Sequence, residues 1–166
     1  MGCVWCDVKE SWEAEKHQKY EVRSLMSEVR KTRAEIVVIT GGEPLMHNLD
    51  DLTNEIQSEG LKTHIETSGA YPMSGTWDWI CVSPKKFKAP LPEILPLAHE
   101  LKIVVFNRSD LDWAEKYAVL VSADCKLYLQ PEWDNAAEMT PLIIDYIKTN
   151  PQWELSLQIH KYINVP

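Results

Sequence analysis

Glu35-Ile36-Val37-Val38-Ile39-Thr40-Gly41-Gly42-Glu43-Pro44 is the stretch on which the fold turns. Its consecutive β-branched residues favour an extended backbone, because branching at Cβ costs rotamer freedom in a helix and packs well on a pleated surface. The run has no polar alternation, which predicts a parallel strand buried on both faces. The glycine pair ends it and turns the chain.

Upstream, Val22, Leu25, Met26 and Val29 recur at helical spacing and predict an amphipathic helix over 20–33, after an irregular Trp-containing start at 4–19. Downstream the alternation repeats, with helices expected over 48–58, 92–99, 109–117 and 136–149 and strands over 62–67, 79–83, 101–106, 126–130 and 154–160. Strands alternating with helices define an α/β domain around a parallel sheet. No low-complexity linker or internal repeat divides the 166 residues, so a single domain over 1–166 is expected.

Parallel α/β folds place ligands at the carboxyl ends of their strands. The unusual polar motifs fall at those ends: Thr40-Gly41-Gly42-Glu43-Pro44, Glu66-Thr67-Ser68-Gly69, Ser83-Pro84-Lys85-Lys86, Gln130-Pro131 and His160-Lys161. They are expected to converge on one rim.

Composition narrows the ligand. A formal net charge of -8 and a pI near 5.1 oppose backbone-driven attachment to DNA or RNA, which works by Lys and Arg displacing condensed counterions. No apolar run approaches the ~20 residues of a spanning helix, and no basic-then-apolar leader opens the chain. Cys3, Cys6, Cys81 and Cys125 are too few and too uneven for a secreted disulfide framework, so a reducing cytoplasm is expected. A small-molecule site fits these properties.

Each motif also has a plainer reading. Cys3-Val4-Trp5-Cys6 spaces two thiolates for one metal or cluster, but the same pair suits half a zinc site, a redox dithiol or coincidence. Gly41-Gly42-Glu43-Pro44 is either a Gly-rich turn or a place where a ligand approaches bare backbone beside a carboxylate able to pair with an ammonium group. Glu66 is a loop cap or a ligand contact; Lys85 is a surface charge or a contact for a carboxylate or ribose. His160 equally suits an ordinary half-exposed strand position. Cys81 and Cys125 read as structural thiols, and Trp77, Trp79, Trp113, Trp133 and Trp153 as packing residues.

Together these motifs resemble the radical S-adenosylmethionine (SAM) superfamily and, within it, the 7-carboxy-7-deazaguanine synthases. Cys3-Val4-Trp5-Cys6-Asp7 is similar to the second half of the C-x-x-x-C-x-x-C-D loop, Thr40 to Leu45 to T-G-G-E-P-L, and Glu66-Thr67-Ser68-Gly69 to E-T-x-G. Val82-Ser83-Pro84-Lys85, Leu129-Gln130-Pro131 and the ending Gln158-Ile159-His160-Lys161 through Pro166 complete the likeness, the tail being its most discriminating piece.

The resemblance implies a partial (β/α) barrel with a parallel sheet and its first strand missing. It implies a [4Fe-4S] cluster held by three Cys thiolates, Cys3 and Cys6 among them, whose open iron binds SAM for one-electron cleavage. Gly41, Gly42 and Glu43 would hold the methionine end, with Ser83, Lys85 and Gln130 lining the rest. The substrate implied is 6-carboxy-5,6,7,8-tetrahydropterin, contacted by Thr40, Glu66, His160 and the terminal carboxylate of Pro166. A flavodoxin-like or ferredoxin-like reductant, Mg²⁺ beside Asp7 and a homodimer are further implications.

Two departures bear on activity. The first cysteine of the loop is expected before Met1, with the first strand and N-terminal substrate residues; two thiolates cannot supply a three-cysteine site. Val8 stands where many members carry a Thr that helps ligate Mg²⁺. A glycyl-radical-activating enzyme of the same superfamily is the alternative enzyme reading, opposed by the absence of a second cysteine-rich region and the presence of His160-Lys161 with Pro166. A SAM-binding remnant without catalysis is the alternative from another class.

Overall fold

A computed structural model describes residues 18–165. Cys3, Trp5, Cys6, Asp7, Val8 and Pro166 therefore lie outside the described residues, and so do the expectations placed on them. Among the described residues six strands, β1 (Ile36–Ile39), β2 (Lys62–Thr67), β3 (Trp79–Val82), β4 (Glu100–Val105), β5 (Lys126–Pro131) and β6 (Trp153–Leu155), form one sheet. Five α-helices of the described residues accompany them: α1 (Val22–Val29), α2 (Asp50–Ser58), α3 (Ser109–Ala118), α4 (Ala136–Thr149) and α5 (Ile159–Tyr162).

Each strand pairs in parallel with the next in sequence, giving the order β1-β2-β3-β4-β5-β6. A doubly wound sheet would reverse direction at a switch point. An unbroken order, in a sheet whose strands twist in one sense, is that of a barrel wall; β1 and β6 remain unpaired with each other among the described residues, so the barrel is partial.

The two faces of this wall differ sharply. Side chains alternate along each strand, and the register aligns Ile65, Ile80, Val82, Leu101, Ile103, Leu127, Leu129 and Trp153 on one face. These pack with Leu111 and Ala114 of α3 and Met139 and Ile143 of α4 into one hydrophobic core. The helices therefore cover that face, and its apolar burial drives folding. On the opposite face the same register aligns Glu66, Cys81 and Glu100 in one row and Lys102, Tyr128 and Glu154 in the next.

Three sequence expectations change. Over 92–99 the chain forms only a 3₁₀ turn, Leu95–Leu97, because Pro96 follows closely on Pro90 and Pro92 and removes backbone donors from any longer helix. The last strand stops at Leu155, and His160 belongs to the short helix α5 rather than to a strand end. Strand β1 is not buried on both faces, for Ile36 and Val38 are 43% and 52% exposed. Among the described residues it ends the sheet and is covered from one side, and a continuous β-branched run does not distinguish that position from a central one.

Candidate active site

Three loops at the carboxyl ends of β1, β2 and β3 are tied together by their own side chains. Glu43 is 6% exposed and both its carboxylate oxygens are engaged. Oε1 accepts from the Leu45 N–H at 3.2 Å and from the Thr67 hydroxyl, and Oε2 accepts from the Ser68 N–H at 2.8 Å and from the Ser68 hydroxyl. A carboxylate offers about four lone-pair sites, so the chain itself uses them. Glu43 thus fastens the β1 loop to the β2 loop. The Ser83 N–H donates to the Thr67 carbonyl at 2.7 Å, which adds the β3 loop to the same knot.

Around that knot the surface is open backbone. Gly41 takes φ +128°, a conformation that L side chains rarely adopt, and nothing lies within 4 Å of the place a Cβ would occupy. Gly41, Gly42 and Thr40 are exposed beside it. Two strands further on, after β3, Ser83 is buried and accepts from Lys85 Nζ at 2.9 Å. Gln130 lies half-buried near the end of β5, on the same face as Lys102. This donor set, glycine backbone with a hydroxyl and an ammonium nearby, fits a ligand carrying an amino acid and a sugar. The buried anchor Glu43, by contrast, shapes the loop that such a ligand would meet.

Gly69 fixes the shape of the second loop. It sits at φ +72°, and a Cβ there would come within 3.0 Å of Pro90 Cβ, 3.2 Å of Val82 Cγ1 and 3.3 Å of Ile94 Cγ2. Gly69→Ala combines a left-handed penalty with overpacking. We expect it to lower stability by about 2 kcal/mol, read as a fall in the urea midpoint at unchanged slope.

On the polar face, Glu66 Oε1 and Lys102 Nζ form an ion pair at 3.0 Å, the lysine side chain being 14% exposed and the glutamate 44%. Beneath them, Glu100 accepts from the Trp79 indole at 3.2 Å and the Cys81 thiol at 3.4 Å. Trp79 stacks on His99 at a centroid separation of 5.3 Å. Burial pushes the Cys81 thiol well up, and burial also raises Cys125, to about 11. Both are protonated at neutral pH, as structural thiols are. Of the tryptophans, Trp153 is buried in the core, whereas Trp79 lies on the polar face and Trp133 meets Tyr162 edge-on at 5.1 Å, with Lys161 over its ring. That contact seats α5, and with it the exposed His160, against the loop after β5.

Sequence reading missed Lys102 and Glu100. The signal was available in Glu100-Leu101-Lys102-Ile103, where charged and apolar residues alternate with the period of a strand that has one polar face. Asp110 was also missed, and Lys86 was read only as part of the rim motif after β3. Asp110 is 1% exposed and pairs with Lys86 of the β3 loop, while its Oδ2 accepts from the Phe106 and Asn107 N–H groups at 2.7 and 2.9 Å. Among the described residues, no group of three or more His, Cys, Asp or Glu could hold a metal ion.

The chain, a partial parallel barrel with a glycine cradle at its carboxyl rim, belongs to the radical SAM superfamily, whose sequence model matches residues 1–88. It is 48% identical over 166 residues to the 7-carboxy-7-deazaguanine synthase of Flavobacterium psychrophilum, covering all of this chain and 79% of that protein. It is also 48% identical over 165 residues to the 7-carboxy-7-deazaguanine synthase of a Synechocystis species, covering 99% of this chain and 79% of the relative. The crystal structure of QueE from Escherichia coli superposes with a TM-score of 0.78 at 29% identity, over 95% of this chain and 80% of that one. Within the superfamily, the chain belongs to the 7-carboxy-7-deazaguanine synthase family.

Proposed function

We propose that this chain carries the catalytic wall of an enzyme that converts 6-carboxy-5,6,7,8-tetrahydropterin into 7-carboxy-7-deazaguanine and ammonia, acting as a carbon-nitrogen lyase in deazapurine synthesis. The reaction conserves carbon and oxygen and expels one nitrogen, so it needs initiation but no net oxidant. A cluster-bound SAM supplies that initiation when present, the chemistry being the cofactor's and the positioning the protein's. The observation that carries the reading is the polar face: a half-exposed acceptor, Glu66, precedes the Thr67 and Ser68 that tie the glycine loop and the Ser83 loop together, on a sheet whose other face packs into the hydrophobic core.

The residues then divide the work. Gly41 and Gly42 offer backbone to the methionine part of SAM, while Glu43 holds their loop in place. Ser83, Lys85 and Gln130 contact the ribose and carboxylate side. Glu66 accepts from the N–H-rich, guanidine-like edge of the pterin, where donors need acceptors; Thr40, His160 and Pro166 complete that pocket. Cys3 and Cys6 hold the cluster and Asp7 the Mg²⁺, whose hardness suits oxygen ligands. A flavodoxin-like or ferredoxin-like reductant, a cytoplasmic setting and a homodimer belong to the same proposal.

The test is anaerobic. The gene product carrying this chain, together with any in-frame upstream segment, is reconstituted with iron and sulfide and given SAM, reductant, Mg²⁺ and carboxytetrahydropterin. We expect a [4Fe-4S] absorption and EPR signal and a deazaguanine product by mass spectrometry. An intact cluster without that product sinks the substrate assignment.

A further inference from the structure

We propose that Lys102 is a positioning residue for pterin recognition, acting through Glu66; this rests on the substrate reading above. The register places the two side chains on one face of the sheet from strands that are not neighbours, with Cys81 of β3 between them. Lys102 Nζ reaches across to Glu66 Oε1 at 3.0 Å. The lysine is the buried member and the glutamate the accessible one, at 14% and 44% side-chain exposure. A cation kept out of water is expensive, and neither packing nor the apolar core requires one here, because the core lies on the other face.

Burial disfavours the ammonium, yet the Lys102 pKa lies above the ordinary lysine value, the carboxylates of Glu66 and Glu100 beside it favouring the charged form. Lys102 is thus a fixed positive charge. Its effect on Glu66 is geometric as well as electrostatic. An accessible glutamate samples several rotamers, and ordering one on binding costs free energy that must come from the complex. With Oε1 held by the ammonium, the carboxylate plane is set before the substrate arrives, and Oε2 carries no hydrogen bond from Lys102. The pair is therefore an acceptor aimed in advance at the N–H donors of the pterin edge, with Glu100 occupied separately by Trp79 and Cys81.

Steady-state kinetics of the holoenzyme test this. Lys102→Met is expected to raise the KM for carboxytetrahydropterin about tenfold, within the range of couplings between contacting residues, while kcat and the KM for SAM change less than about twofold. Lys102→Arg, which keeps a cation in reach, should restore most of the loss. In a Glu66→Gln background, Lys102→Met should add little, because its effect passes through the carboxylate. Should Lys102→Met fail to fold, Lys102→Gln serves in each comparison. An unchanged pterin KM, a loss that Lys102→Arg does not restore, or independent multiplication of the two single effects overturns the inference and leaves the substrate reading intact. Absence of turnover by the wild-type holoenzyme overturns both.

Discussion

Replacing Glu43 with alanine is expected to lower stability by about 3–5 kcal/mol and to abolish SAM binding in the same variant. Four donors converge on this buried carboxylate, and they are not equivalent. The Thr67 and Ser68 hydroxyls can rotate towards other acceptors. The N–H groups of Leu45 and Ser68 are fixed by the backbone, and each orphaned donor costs about 1–3 kcal/mol when buried. The remainder comes from lost charge-assisted bonds, roughly twice as strong as neutral ones. Glu43→Gln keeps the shape and one acceptor, so its loss should be about 1–2 kcal/mol. Urea denaturation of the three proteins checks the order, and calorimetric titration with SAM checks the loop. Equal stability for wild type and Glu43→Ala would show that the knot contributes nothing.

Asp110→Ala should be the next most damaging change, at about 2–4 kcal/mol. The carboxylate accepts from Phe106 and Asn107, the two residues that follow β4, and it meets Lys86 in the loop that follows β3. It also sits in the first turn of α3, where negative charge is favoured by the helix dipole. Lys86→Met removes the ion pair and the ammonium over the Trp113 ring and leaves Asp110 Oδ1 buried without a partner, so a loss of about 1–2 kcal/mol, smaller than that of Asp110→Ala, is expected. The comparison separates capping from charge pairing. Similar losses in both variants would assign the energy to the pair instead. Because Lys86 adjoins Lys85, both changes should also weaken SAM binding, Asp110→Ala the more.

The parts of this molecule legible in its sequence are those set by local pattern. Strand β2 and helix α4 fall on the residues their periodicity predicts, 62–67 and 136–149, since alternation and helical spacing are properties of neighbours in the chain. The motifs after β1, β2 and β3, which the fold ties together, were legible for the same reason. What pattern cannot carry is lateral position. Nothing in Ile36-Val37-Val38-Ile39 says that it ends the sheet of the described residues, and nothing near His160 says that three further residues fold into a helical turn seated by Trp133 and Tyr162. The role of Glu43 was hidden likewise. Its partners Thr67 and Ser68 lie 24 and 25 residues away, and only the folded sheet brings them to it.

The alternation in β4 has a consequence beyond the polar face it helps to build. Leu101, Ile103 and Val105 face the helices while Glu100 and Lys102 face away, and β4 pairs along its full length with β5. Sliding β4 by one residue would drive both charges into the layer occupied by Leu111 and Ala114, and would expose three aliphatic side chains. Unpaired charges in such a layer cost several kcal/mol each. The charges therefore proofread strand pairing during folding. By this logic an inserted residue should be accepted in the turn before Glu100 and rejected between Leu101 and Val105.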